Sequence, residues 1–264
     1  MTYNNHNSSD NSSGVAGAKP VSYVSFSLFY GSAQGDAKNT SYTFKRVISS
    51  LDKLVQVAAY DHVGCRFMTG KNNRGTRIKA YRSNGTFYSA DVIIMDVDNV
   101  SPNPLDADLA EADWTTPVNV AAAFPDVLFY VVDSRHHMQE KNGRSARPKF
   151  HVYFPLYQEI TYYMELEDLK RKVQRMFPAF DPNAIKVTQF MFAVSNPKAE
   201  YYYGHIRIDQ FVRKEEALPE VIQEGHRNET LSKYAGKVIT RLGDTAKARE
   251  AFDKAADKCC IRKS

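Results

Sequence analysis

Cysteine is scarce in this chain: 264 residues contain three, Cys65 and the adjacent Cys259 and Cys260. Three thiols cannot build a disulfide framework, and so few fit a reducing cytosol. No CxxC and no Cys/His cluster at zinc spacing occurs, so no zinc is expected. No apolar run approaches the ~18 residues of a membrane span, and no charged-then-apolar signal opens the chain. A membrane role is therefore not expected. A dominant charge is missing too: 35 Lys and Arg against 30 Asp and Glu leave +5, which permits a nucleic-acid partner without demanding one. The loop Gly70–Gly75 (GKNNRG) falls short of the P-loop pattern and reads as a turn between strands.

With 43% hydrophobic residues the chain has ample material for a core, in one large domain or two small ones. Its charge is unevenly placed. From Asp96 to Asp113 there are six acids and no Lys or Arg. From Arg135 to Lys149 there are five cations against Glu140 alone. A site for metal and polyphosphate needs both signs, although charge runs are usually solvated loops.

The stretch Ser89–Asn99 (SADVIIMDVDN) organises the rest. Val92 to Met95 have the length and character of a strand buried on both faces. Residues two apart on a strand share a side, so Asp96 and Asp98 project together from its end. Paired carboxylates repel unless a cation sits between them. Oxygen-only ligands suit Mg²⁺ or Mn²⁺. A strand ending in an acidic turn would show the same residues.

Residues 1–19, rich in Asn, Ser and Gly, read as disordered. Alternation predicts a strand at Val21–Tyr30, Val127–Val132 reads as a buried strand, and Lys186–Val194, Tyr201–Phe211 and Phe150–Phe154, the last with Pro155 as its stop, also read as strands. Arg77–Tyr88 reads as strand, Ser-Asn-Gly turn and strand. Helical spacing predicts helices at Phe44–Ala59, Val118–Phe124 and Met164–Phe177. Pro102–Pro117 reads as an irregular acidic insertion with one helical turn near Leu105–Glu111. Lys214–Glu220 reads as a charged linker, followed by a helix capped by Asn228 and ended by Gly243, and a second, capped by Asp244, reaching about Cys259. The expected class is α+β: a body at 20–213, then a linker and helical segment at 214–264 that reads as the opening of a further unit of a longer polypeptide.

Four features then align. Asp96 and Asp98 end one strand. His151 follows Asp96 by 55 residues in Lys149–Phe154 (KFHVYF). Asp181, in Phe180-Asp181-Pro182, follows His151 by 30. A basic loop leads into the histidine strand. Together they resemble the archaeo-eukaryotic primase superfamily, the primase-polymerases of phages and plasmids. The ordered motifs of that family are a DxD at a strand end, a histidine strand and a later lone Asp. Ala80-Tyr81-Arg82-Ser83, Arg147–Pro155 and Glu224–Leu231 resemble its flanking text, the last the start of a helical primase C-terminal domain. Lys149 stands where the family often has a small residue, and Gln189 where relatives often carry an Arg.

The resemblance implies a metal-dependent nucleotidyltransferase that makes primers on single-stranded DNA, with an RRM-like sheet holding the site. Asp96, Asp98 and Asp181 would be the catalytic metal ligands, for two Mg²⁺ or Mn²⁺ ions. His151 would contact the triphosphate of the incoming nucleotide. Lys149 and Arg147, on the same side of a strand as His151, could neutralise its charge, and Lys186 could stand in for the missing Arg. A helicase, fused or separate, is an implied partner. Two other classes compete: a nicking enzyme of the HUH type with a nucleophile among Tyr201, Tyr202 and Tyr203, and a non-catalytic single-strand binder stacking bases on Tyr153, Phe190 and Phe192. The first lacks the paired-histidine metal pattern, since His136 and His137 are adjacent and His151 stands alone. The second leaves the three acids unexplained. A nuclease using the same acids is also conceivable.

Overall fold

A computed structural model describes residues 23–101, 108–140, 143–216, 227–242 and 246–259. The N-terminal segment expected to be disordered lies outside them, as do residues 102–107 of the acidic insertion, residues 217–220 of the linker with 221–226 after it, Gly243 and Asp244. Chain order runs β1 (Phe26–Tyr30), β2 (Phe44–Ile48), α1 (Leu51–Ala58), β3 (His62–Val63), β4 (Cys65–Phe67), β5 (Gly70–Lys71), β6 (Arg77–Ile78), β7 (Phe87–Val97), α2 (Pro117–Ala123), β8 (Phe129–Asp133), β9 (Phe150–Ile160), α3 (Tyr163–Met176), β10 (Ala199–Tyr202), α4 (Ile208–Glu216), α5 (Arg227–Leu242) and α6 (Ala246–Cys259). The class is mixed α and β.

The centre is a five-stranded antiparallel sheet in the order β10-β8-β9-β7-β4. Its middle strands are the most apolar, which suits strands covered on both faces. Ile93, Met95 and Val97 of β7, with Phe150, Val152 and Phe154 of β9, face a layer formed by α2, α3 and α4. Val92, Ile94 and Tyr153 face the other way, under Phe26 and Leu28 of β1 and Leu54, Val57 and Ala58 of α1. Each buried Val, Leu or Ile contributes roughly 1.5–3 kcal/mol. A smaller sheet, β2-β1-β3, carries α1. Among the described residues no helix is long and apolar enough to cross a membrane.

Several expectations are corrected. The helix predicted over Phe44–Ala59 is a strand and a helix, because Phe44–Ile48 pairs antiparallel with β1. The helix starts only after Ser50, whose hydroxyl accepts from the Lys53 amide. Pro155 does not end the histidine strand. Pairing with β8 stops at Tyr153, so β9 is bonded on one side only at Pro155, where a missing N–H is tolerated. Lys186–Val194 is a loop with a single bridge, Met191 to His62. Its backbone groups go to side chains and distant main chain instead, as in Ala193 to the Asp61 carboxylate at 2.8 Å. The strand predicted over Tyr201–Phe211 stops at Tyr202, and Ile208 already belongs to α4, which runs on through Lys214 of the expected linker. Between them, a Cβ on Gly204 would lie 2.3 Å from the Asp126 carbonyl oxygen, so only glycine permits this crossing. The described part of the acidic insertion holds a 3-10 turn at Glu111–Asp113. The first tail helix begins at Arg227, so Asn228 lies inside it, and it packs on α6 through Tyr234 and Phe252.

One buried cation has a measurable consequence. Lys170 on α3 is buried, and burial pushes its ammonium down to about 8. Its folded value lies below the unfolded one of 10.5, so the native state binds fewer protons between them. Stability therefore rises with pH across that window. Lys170→Met is expected to stabilise the protein at pH 7 by on the order of 1–3 kcal/mol and to flatten that rise. Urea melts of both proteins at pH 7 and pH 10 check it.

Candidate metal centre and its cavity

The acidic end of β7 lies on the α1 side of the sheet, in line with Val92 and Ile94. Asp96 pairs with His151 across the β7–β9 ladder. The strand ends at Val97, and Asp98 follows on the same side. The chain then turns at Asn99, which has a left-handed φ of 50°. Its amide side chain donates to the carbonyls of Thr115 and Pro148, both at 2.9 Å, and accepts from the Thr115 amide at 2.7 Å. Asn99 thus fixes where the acidic end points, although nothing in the DxD pattern singles it out.

Asp181 arrives from the segment after α3. Phe180 is buried among Phe124, Phe154 and Phe177. The Asp181 amide donates to the Asp96 carbonyl at 2.8 Å, and its carboxylate accepts from the Asn183 amide at 2.8 Å. The result is a three-carboxylate cluster: Asp96, Asp98 and Asp181 each offer an oxygen, all within 4.8 Å of one another.

The cluster is electrostatically unbalanced. Burial, then the charges of Asp98 and Asp181, hold the Asp96 carboxyl well above the ordinary carboxylate range. The Asp96 side chain is 17% exposed, yet its Oδ1 is buried without a hydrogen-bond donor among the described residues. His151 Nε2 stands 3.5 Å from that oxygen, and burial pushes the ring down to about 3, so a neutral imidazole supplies no ion pair. Lys149 Nζ pairs with Asp98 Oδ1 at 3.1 Å. Three all-oxygen donors, one of them an orphaned buried acceptor, fit a hard divalent cation.

The carboxylates open into a cavity of about 390 Å³ that is also lined by Lys149, His151, Lys186, Arg135, Phe190 and Phe192. The structure thus brings six of the seven sequence-predicted residues to one cavity. Arg147 is not among its lining. Its guanidinium is buried and donates to the main-chain carbonyls of Asp98 at 3.0 Å and Ser145 at 2.9 Å. It braces the strand end, and its alignment with Lys149 and His151 fails because β9 begins only at Phe150.

Arg135, expected in a solvated loop, lies over the Phe192 ring at 4.2 Å with its Nε buried and without a hydrogen-bond partner. Arg82 lies over Phe190 at 4.4 Å and donates to the Thr188 carbonyl at 2.6 Å. Phe190 and Phe192 meet edge to face at 4.7 Å. Two guanidinium–aromatic pairs therefore back the Phe190 and Phe192 side of the cavity. Beneath His151, Tyr153 is fully buried, and its hydroxyl lies 2.8 Å from Nε2 of His62. His137 Nδ1 lies 3.0 Å from the Lys149 carbonyl, which binds the preceding loop to β9.

No family model and no curated protein matches the chain. Among solved structures, the AEP domain of the cyanophage S-2L primase-polymerase (PrimPol) is similar over 71% of this chain and 88% of that one. The identity is 12% and the TM-score 0.34. A likeness at that level carries no argument about chemistry, so function rests on the site itself.

Proposed function

We propose that this chain is a metal-dependent nucleotidyltransferase of the primase-polymerase kind, making short primers on single-stranded DNA for a phage, plasmid or other mobile element. The observation that carries the proposal is the meeting of three carboxylates, one with an orphaned buried oxygen, and several cations in one cavity. Asp96, Asp98 and Asp181 would hold Mg²⁺ or Mn²⁺. When bound, such ions stabilise the attacking and leaving oxygens of phosphoryl transfer. Lys149, Lys186 and Arg135 would neutralise the triphosphate. His151, neutral and beside Asp96, would donate a hydrogen bond to a phosphate oxygen. Arg147 would act at one remove, by holding the Asp98 carbonyl. The arrangement supports membership of the archaeo-eukaryotic primase superfamily, with the five-stranded sheet as its RRM-like element. The helices from Arg227 onward would belong to an accessory unit. A cytosolic setting and a helicase partner accompany that reading.

The competing readings fit the geometry less well. Tyr203 is exposed but bonded to His205, itself paired with Asp126, and neither Tyr203 nor its neighbours Tyr201 and Tyr202 line the cavity. Tyr153 is buried and cannot serve as a stacking platform. The test is a synthesis assay with single-stranded template, labelled nucleoside triphosphates and Mg²⁺ or Mn²⁺. Template-dependent short products are expected from the wild type and not from Asp181→Asn. Template cleavage without nucleotide incorporation would instead identify a nuclease.

A further inference from the structure

Between His62 and Ala90 the chain carries six cations (Arg66, Lys71, Arg74, Arg77, Lys79 and Arg82) and no Asp or Glu. All but Arg82 are exposed. Most sit on or beside the β5–β6 hairpin, whose tip is preformed. The Asn72 side chain accepts from the amides of Arg74 at 3.0 Å and Thr76 at 2.9 Å, and Gly75 takes a φ of +78° that suits glycine. The hairpin base is rigid as well: a Cβ on Gly70 would sit 2.8 Å from the Tyr81 ring.

That base is stitched to the segment just before β2. The Ser41 hydroxyl donates to the Lys79 carbonyl at 2.8 Å, and the Arg82 amide to the Thr40 carbonyl at 2.8 Å. β2 adds exposed Lys45 and Arg46 and the half-exposed Phe44, while Tyr88, 46% exposed, carries Arg66 over its ring at 4.4 Å. At the other end Arg82 reaches the cavity wall through Phe190.

We propose that the hairpin and β2 form a surface that holds single-stranded nucleic acid by its phosphates and leads it to the metal cavity. Held cations without acids attract a polyanion of any sequence, and exposed aromatic rings favour unpaired bases over a duplex. The assignment rests on the reading of the chain as one that works on nucleic acid.

The experiment is fluorescence anisotropy of the full chain with a labelled mixed-sequence oligonucleotide across a salt series. Lys71→Ala/Arg74→Ala/Arg77→Ala is expected to bind at least tenfold more weakly, with a log–log salt slope shallower by about 2. Lys71→Arg/Arg74→Lys/Arg77→Lys should bind like the wild type, and a blunt duplex more weakly than the single strand. Unchanged affinity and slope in the alanine variant would overturn the proposal, as would equal binding of the duplex. The synthesis assay separates the two failures. A wild type that makes no product, but whose oligonucleotide binding is lost in the alanine variant, leaves this surface standing and removes the catalytic reading. A productive wild type with an unaffected alanine variant does the reverse.

Discussion

On the proposed function, Asp96→Asn is expected to lower nucleotide incorporation by about a thousandfold or more, because a metal's several kcal/mol of charge stabilisation would be lost with its proposed central ligand. The same substitution is expected to make the metal-free protein more resistant to heat. Asp96 is largely buried, its Oδ1 has no donor, and Asp98 and Asp181 crowd it with like charge. An amide removes that repulsion and adds a donor, a gain of order 1–3 kcal/mol, or several degrees in Tm. The pH dependence has a definite sign. The folded carboxyl titrates above the ordinary 3.8, so the native state holds more protons than the unfolded one in the window above that value. Metal-free wild type should lose stability as pH rises through this window, and Asp96→Asn should lose less. Millimolar Mg²⁺ should stabilise the wild type, by binding the native state only, and leave the variant unmoved. Differential scanning calorimetry with and without Mg²⁺, at two pH values, checks each part.

Phe180→Ala is expected to cost about 3–5 kcal/mol, the usual loss for a buried phenylalanine. Its ring stacks on Phe124 with centroids 6.2 Å apart and meets Phe177 at 5.0 Å. The cost reaches the site because Asp181 is the next residue and bonds through its amide to the Asp96 carbonyl. Phe180→Leu separates the two effects. It keeps most of the apolar volume and should cost no more than about 1.5 kcal/mol. Incorporation should still fall at least tenfold at a temperature where the variant is fully folded, because Asp181, the proposed third ligand, would move relative to Asp96 and Asp98. Urea melts give the first quantity and the synthesis assay the second. A folded Leu variant with wild-type activity would show that Phe180 supports the core without positioning Asp181.

Much of this site was legible in the sequence because its signals are local. Val92 to Met95 have the length and character of a buried strand, and the period of a strand put Asp96 beside Asp98 and Lys149 beside His151. Arg147 shows the limit of that logic: it lies three residues before β9 begins at Phe150, where periodicity carries no information. The helix–strand errors have a common cause. Phe44–Ile48 continues the helical spacing of the helix after it but pairs with β1; Lys186–Val194 reads as a strand but meets a sheet only at Met191, which bridges His62. Arg82, Arg135, Phe190 and Phe192 form their wall only when three distant segments meet, so no pattern within one segment could show it. Asn99 was silent for the same reason, since its partners Thr115 and Pro148 are 16 and 49 residues away.

Mn²⁺ binding tests the central claim most directly. Titration of metal-free wild type and Asp96→Asn/Asp98→Asn, followed by the electron paramagnetic resonance signal of the free ion, reads the site without requiring turnover. Wild type should remove Mn²⁺ from solution, more tightly when a nucleoside triphosphate is present, and the double variant should leave it free. Equal Mn²⁺ binding by the two proteins would contradict the assignment of Asp96, Asp98 and Asp181 as a metal centre.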